Sequence, residues 1–168
     1  LESFTPFLDS LSKHSLIFPN AFSTSRKSIH AMPSILAGVP SFETAYTSSY
    51  YSRQKLESIV SISNALGYDT SFFHGAKNGS MGFQGFANTL GYDNYYGRDE
   101  FNDDNEYDGF WGIWDEPFLQ FSKSILDNKN EPFLATIFTI TSHEPYIIPD
   151  KFEGVFDKGY LPIHKCVG

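Results

Sequence analysis

Apolar residues recur along this chain at two spacings, and the alternation between them sets the expected architecture. From Gln54 to Leu66 the residues Leu56, Ile59, Val60, Ile62 and Leu66 share one side of a helix, with Gly67 as its terminator. Asp69 to Phe73 then reads as a strand ending at His74-Gly75, and Phe83 to Leu90 as a short helix closed by Gly91. Pro117 to Leu126 is helical, and Phe133 to Ile140 is a near-continuous apolar run, the pattern of a buried parallel strand. Nearer the start, Thr5-Pro6 opens a helix whose apolar face is Phe7, Leu8 and Leu11, and Ser15 to Phe22 reads as a short strand broken by Pro19. A further helix begins at Ser28, carries Ile29, Met32, Ile35 and Leu36, and stops at Gly38 and Pro40. Residues 41–52 form a polar, tyrosine-rich loop and residues 98–109 a charged one. Helices and strands alternate, so an α/β fold is expected, with sites at the carboxyl ends of its strands.

Composition narrows the function. With 168 residues the chain is one domain with room for a proper core, and 17 Phe and 10 Tyr suit a large core or a ring-lined site. A net charge of −8, with no compensating basic stripe, argues against a nucleic-acid partner. One cysteine, Cys166, excludes an internal disulfide and a Cys-rich zinc site. No apolar run approaches the roughly 20 residues that span a bilayer, and the first residues lack the regions of a signal peptide. Leu1-Glu2-Ser3-Phe4 starts as if inside a strand end and Cys166-Val167-Gly168 lacks a closing element, so a piece of a larger protein is expected.

Polar clusters fall at four strand ends or helix starts: Glu2-Ser3, Arg26-Lys27-Ser28, His74-Gly75 with Asn78, and Thr141-Ser142-His143. Ser28 follows two cations at a helix start, where unpaired N–H groups and the helix dipole favour anions and lower the cost of an alkoxide. An ordinary N-cap is the other reading of the same serine. Together the clusters offer a metal ligand, a nucleophile and two proton donors or oxyanion partners, a set suited to an anionic substrate. Asp104, Glu106, Asp108, Gly109 and Asp115 fit positions 1, 3, 5, 6 and 12 of a calcium loop, but the flank before Asp104 is not helical and the twelfth position is normally Glu. A solvated acidic loop is the better reading.

The chain resembles the lipoteichoic acid synthase-like, phosphoglycerol transferase branch of the sulfatase and alkaline phosphatase superfamily. The matching segments are residues 1–22, RKSIHAMPSILAGVPS at 26–41, FFHGAKNGSMGFQGF at 72–86, GYDNYYG at 91–97, YDGFWGIWDEPFLQF at 107–121 and TSHEPYIIPDKF at 141–152. The resemblance implies an alkaline phosphatase-like α/β sandwich, with a largely parallel central sheet flanked by helices. Residues 1–168 would be an incomplete portion of that catalytic domain. It implies a divalent metal (manganese first; magnesium, zinc or calcium as alternatives) held by Glu2 and Ser28. Ser28 would be the nucleophile, and His74 and His143 would line the substrate phosphate pocket.

Three features depart from the family pattern. The loop between the Glu2 strand and the Thr5 helix is absent. Gly82, Phe83 and Gln84 stand where a Trp and an Arg help hold glycerol phosphate. No downstream Asp-His metal pair occurs before Gly168, so these 168 residues are expected to be inactive alone. Ile29, His30, Ala31 and Met32 after Ser28 also fail the formylglycine motif of true sulfatases, so an unmodified serine and a phospho-enzyme intermediate are expected.

The expected function is therefore metal-dependent phosphoryl or phosphoglycerol transfer on a phosphodiester or lipid headgroup. The alternatives are a phosphate or sulfate ester hydrolase, or a non-catalytic relative that binds a glycan or headgroup. Partners would be an anionic phosphodiester, a lipid headgroup or a sulfated or phosphorylated glycan. An extracytoplasmic location, with membrane association through segments outside this chain, follows from the resemblance.

Overall fold

The computed structural model describes residues 3–167, which fall into two compact units. One runs from Phe22 to Phe138 and contains the sheet; the other joins the first 21 residues to those from Thr139 onward.

In the larger unit, the strands β1 (Asp69–His74), β2 (Asn94–Tyr96) and β3 (Phe133–Phe138) form a parallel sheet in the order β2-β1-β3. Two connecting helices, α4 (Phe83–Leu90) and α6 (Asp115–Leu126), carry the chain from β1 to β2 and from β2 to β3. The first crossover moves to one side of β1 and the second returns past it to the other. Right-handed crossovers travelling in opposite directions must use opposite faces of the sheet, and the packing agrees. Phe72 meets Phe83, Phe86, Ala87 and Leu90 on one face, together with Met32 and Leu36 of α2 (Ala31–Ala37) and Val60 of α3 (Ile59–Ala65). Phe73, its neighbour in β1, meets Ile113 and Phe118 on the other. Alternation along β1 thus divides two cores, and both faces of the strand are buried.

Several expected elements are altered. α3 begins only at Ile59, because Ser58 caps it: its hydroxyl accepts from Ser61 N at 3.1 Å while Ser61 Oγ accepts from Ser58 N at 2.9 Å. Residues 54–57 are therefore not helical. β2, three residues long, lies in a stretch with no apolar period to announce it. β3 is shorter than the apolar run and only half-buried, with Ile137 39% exposed, because among the described strands it pairs on one side alone. The charged loop contains a helical turn, α5 (Arg98–Phe101).

In the smaller unit, α1 (Pro6–Ser12) starts as expected with Pro6 in its first turn, yet it buries no residue; Phe7, Leu8 and Leu11 are exposed. Residues 15–22 form turns and irregular chain instead of a strand. Pro19 removes a ladder donor there, and Leu16, Ile17 and Phe18 are exposed.

Candidate active site

The segment before α2 carries the candidate nucleophile. Residues Ser28–His30 form a 3₁₀ turn that runs directly into the helix, and Gly38, at φ 65°, ends it. Ser28 is the first residue of the turn; the N-cap is Lys27, in extended conformation. The Ser28 hydroxyl is exposed and accepts no capping bond, so the ordinary N-cap role does not apply to it. Arg26 and Lys27 beside it are also exposed. The other polar group of the turn faces inward: His30 is buried, with Nδ1 2.6 Å from Ser25 Oγ. The turn packs beside a second one at Tyr46–Ser48, which in turn packs beside a third at Ser80–Gly82, just ahead of α4.

His74 ends β1 and is 1% exposed. Its Nδ1 lies 3.1 Å from the carbonyl oxygen of Phe138 at the end of β3. A carbonyl can only accept, so Nδ1 carries the proton and Nε2 keeps a lone pair. Nε2 is buried and without a hydrogen-bond partner among the described residues. Its ring sits between those of Phe83, at 5.3 Å, and Phe138, at 5.0 Å. Burial lowers the His74 pKa below its usual value, opposed by the Phe138 bond and the charge of Asp115. The imidazole is thus a neutral acceptor held in one tautomer.

After β1 the chain approaches its neighbours closely. A Cβ at Gly75 would lie 3.2 Å from the Ile113 carbonyl and 3.3 Å from Cγ of Phe118. Ile113 N donates to Gly75 O, and Arg98 N to Ala76 O, which ties the loops following β1 and β2 together. Because those loops depart to opposite faces, a crevice opens at the carboxyl ends of the two strands. It has a volume of about 430 Å³ and is lined by Lys77, Arg98, Asp99, Asn102 and Asp104. Arg98 is committed there: its guanidinium pairs with Asp104 at 2.8 Å and lies 3.7 Å over the Tyr107 ring.

His143 belongs to the smaller unit. It is exposed, within a turn in which its N–H donates to Ile140 O and its carbonyl accepts from Tyr146 N, and its Nδ1 donates to the Glu144 carbonyl at 2.9 Å. Glu2 lies outside the described residues. Within the larger unit, Ser28 and His74 thus belong to elements on the same face of the sheet.

The acidic loop is satisfied internally. Asp108 Oδ1 accepts from the amides of Phe110, Trp111 and Gly112 at 2.8–3.0 Å, and Asp104 is paired with Arg98. Among the described residues, no three His, Cys, Asp or Glu side chains converge on a point that could hold a metal. The described residues of the larger unit offer a hydroxyl at Ser28, an imidazole at His74 and the cations Arg26 and Lys27.

The family model described as Sulfatase matches residues 2–165. The chain belongs to the sulfatase family. Within this family its relatives are of the lipoteichoic acid synthase type. Lipoteichoic acid synthase 1 of Bacillus subtilis (strain 168) is 25% identical over 159 residues, covering 89% of this chain and 24% of that protein. The lipoteichoic acid synthase-like protein YvgJ of the same organism is 27% identical over 84 residues, covering 50% and 14%. This sulfatase-family chain therefore spans about a quarter or less of the curated relatives it matches.

The fold agrees with that assignment. The crystal structure of the lipoteichoic acid synthase LtaP from Listeria monocytogenes superposes with a TM-score of 0.85 at 23% identity, over 98% of this chain and 43% of the other. A protein of the alkaline phosphatase superfamily from Vibrio parahaemolyticus gives 0.84 at 22% identity, over 98% and 42%. The expected alkaline phosphatase-like α/β architecture with a parallel sheet is the one observed.

Proposed function

We propose that this segment is part of the catalytic domain of a phosphoryl or phosphoglycerol transferase that works through a Ser28 phospho-enzyme. The observation that supports it is the Ser28 hydroxyl: exposed, uncommitted to capping, and preceded by Arg26 and Lys27. In the first half-reaction a bond forms from Ser28 Oγ to phosphorus as the bond from phosphorus to the departing alcohol breaks. In the second, water or another alcohol attacks phosphorus and Ser28 is released; the net proton passes from the incoming hydroxyl to the departing alkoxide. Arg26 and Lys27 suit an anionic phosphodiester or lipid headgroup. His143 would meet the phosphate, and His74, as a neutral acceptor, a group that donates. A divalent cation, manganese first, with Glu2 and Ser28 among its ligands, is part of the proposal. So is an extracytoplasmic location; among the described residues no helix is long and apolar enough to cross a membrane. Because the chain spans so little of its relatives' length, we also propose that residues 1–168 are inactive in isolation.

The test follows hydrolysis and transfer of a phosphodiester reporter by the intact protein that contains this segment and by its Ser28→Ala variant, with mass analysis for phosphoserine. Abolished turnover with an intact fold supports the nucleophile, and retention of more than a small fraction of activity removes it. Calorimetry of the isolated 168 residues with manganese, magnesium and zinc should show no tight 1:1 binding. Tight binding together with multiple turnovers would overturn the proposed inactivity.

A further inference from the structure

The chain doubles back on itself to present Ser28. Thr24 Oγ1 lies 2.8 Å from Ser34 Oγ, and Oγ of the next residue, Ser25, lies 2.6 Å from Nδ1 of His30. His30 and Ser34 are four residues apart, about one helical turn, so they line one side of α2 and the turn that leads into it. As the incoming chain advances from Thr24 to Ser25, its partners step back from Ser34 to His30. The chain therefore runs antiparallel to α2 and reverses at Arg26, Lys27 and Ser28, the exposed tip of the reversal. A hydroxyl has one proton; Ser34 gives its own to Val39 O at 3.3 Å, so Thr24 donates to Ser34. Further bonds tighten the tip: His30 N donates to Lys27 O at 3.0 Å, and Ser23 Oγ to Ser25 O at 2.7 Å. The two links differ in their surroundings. The Thr24–Ser34 link is exposed, where water can replace either partner. His30 is 4% exposed, and a buried polar atom that loses its partner is costly, so the inner link holds the reversal.

We infer that Ser25 and His30 are positioning residues that fix the Ser28 hydroxyl for attack. They act through the backbone of residues 26–29, which their bond closes into a loop. A serine hydroxyl donates or accepts, so the bond forms with either tautomer of His30. A reacting group must be held within about 0.5 Å of its productive place, and a displacement of about 1 Å can cost about 100-fold in rate. Ser28 has one rotatable bond between its backbone and its oxygen, so it cannot make up for a shifted tip. Arg26 and Lys27, on long flexible stems, can. Loosening the pair thus slows the chemical step and leaves capture of an anionic substrate nearly intact. Their role rests on that of Ser28 as the nucleophile.

Three variants of the intact protein that contains this segment test it. Ser25→Ala and His30→Leu each delete the link, whereas His30→Asn keeps a hydrogen-bonding group near the place of Nδ1. Each is assayed with a phosphodiester reporter, well below its own melting transition, by steady-state kinetics and by rapid quench with mass analysis for phosphoserine. Ser25→Ala and His30→Leu should lower kcat and the rate of phosphoserine formation by about tenfold or more, with KM within about threefold of wild type. The Asn variant should stay within about threefold of wild type in both. A pair that serves stability alone would lower the melting temperature of Ser25→Ala and leave kcat unchanged, which would overturn the inference. A rise in KM at constant kcat would do the same. If His30→Asn fell as far as His30→Leu, the effect would belong to the ring and not to the bond, again overturning it. Unchanged phosphoserine formation in Ser25→Ala removes the positioning role and spares the nucleophile. Absence of phosphoserine in wild type, with turnover retained in Ser28→Ala, removes both.

Discussion

His74 and Phe138 are joined across β1 and β3 by one hydrogen bond, from the imidazole Nδ1 to the backbone carbonyl, at 3.1 Å. Their strands pair in register at these very residues. The sheet thus dictates the tautomer of a side chain that ends it. Because burial lowers the His74 pKa, the unfolded chain binds its proton more readily than the folded one. Stability should fall as pH drops below the ordinary histidine value of 6.5, and go on falling until the lowered folded pKa is reached. Urea unfolding between pH 8 and 5 should show this slope, and His74→Gln should flatten it. Equal slopes in the two proteins would mean that His74 takes up its proton in the folded state.

Ser28 stands at an expected helix start and Ser58 inside a helix expected from Gln54, but only Ser58 caps. Ser58→Ala should cost about 1 kcal/mol, lowering Tm by about 2–4 °C for a domain of this size. Ser28→Ala should stay within about 0.5 kcal/mol of wild type. Thermal melts of the two variants side by side decide it, and a large loss at Ser28 would show a structural role.

Gly97 is fixed by its neighbour, since its φ of −115° suits any residue. Asn78 Nδ2 donates to both oxygens of Glu100, and the Gly97 amide donates to Glu100 Oε2. Asn78 Oδ1 fills the space that a Cβ would take. Gly97→Ala should therefore displace Asn78 and destabilise by about 1–3 kcal/mol. In the Asn78→Ala background the same change should cost much less, a coupling that a double-mutant cycle measures.

Asp108 holds the turn at Phe110–Gly112 by accepting three amides with one oxygen. Asp108→Ala should cost about 1–3 kcal/mol and raise amide exchange at residues 110–112, while calcium should leave wild-type stability unchanged. Stabilisation by calcium would restore the ion-binding reading of this loop.

Much of this arrangement was legible in the residues, for physical reasons that differ by element. α4 was placed correctly because its apolar period and Gly91 act together, and β1 because its apolar core ends at a His-Gly pair. The N-terminus of α3 was misplaced by five residues because apolar spacing outweighed a cap whose third position is serine instead of Glu or Gln. β2 is held by its neighbour's backbone, with Asp93 N donating to Thr70 O, and three residues cannot display a period. The Ser28 and His74 clusters were visible as motifs. The unpartnered Nε2 of His74 was not, because being unpartnered depends on what the whole fold brings near.

β1 lies between a partner that follows it by about 20 residues and another that follows by about 60, as the registers Phe73–Tyr96 and Phe73–Ile137 show. Closing the longer loop is the slower event for a growing or refolding chain. The β1–β2 pair and α4 can meet first, and at that stage His74 has no carbonyl to fix its ring. The imidazole acquires its orientation only when β3 arrives, so completion of the sheet and competence of the site become a single late step of folding.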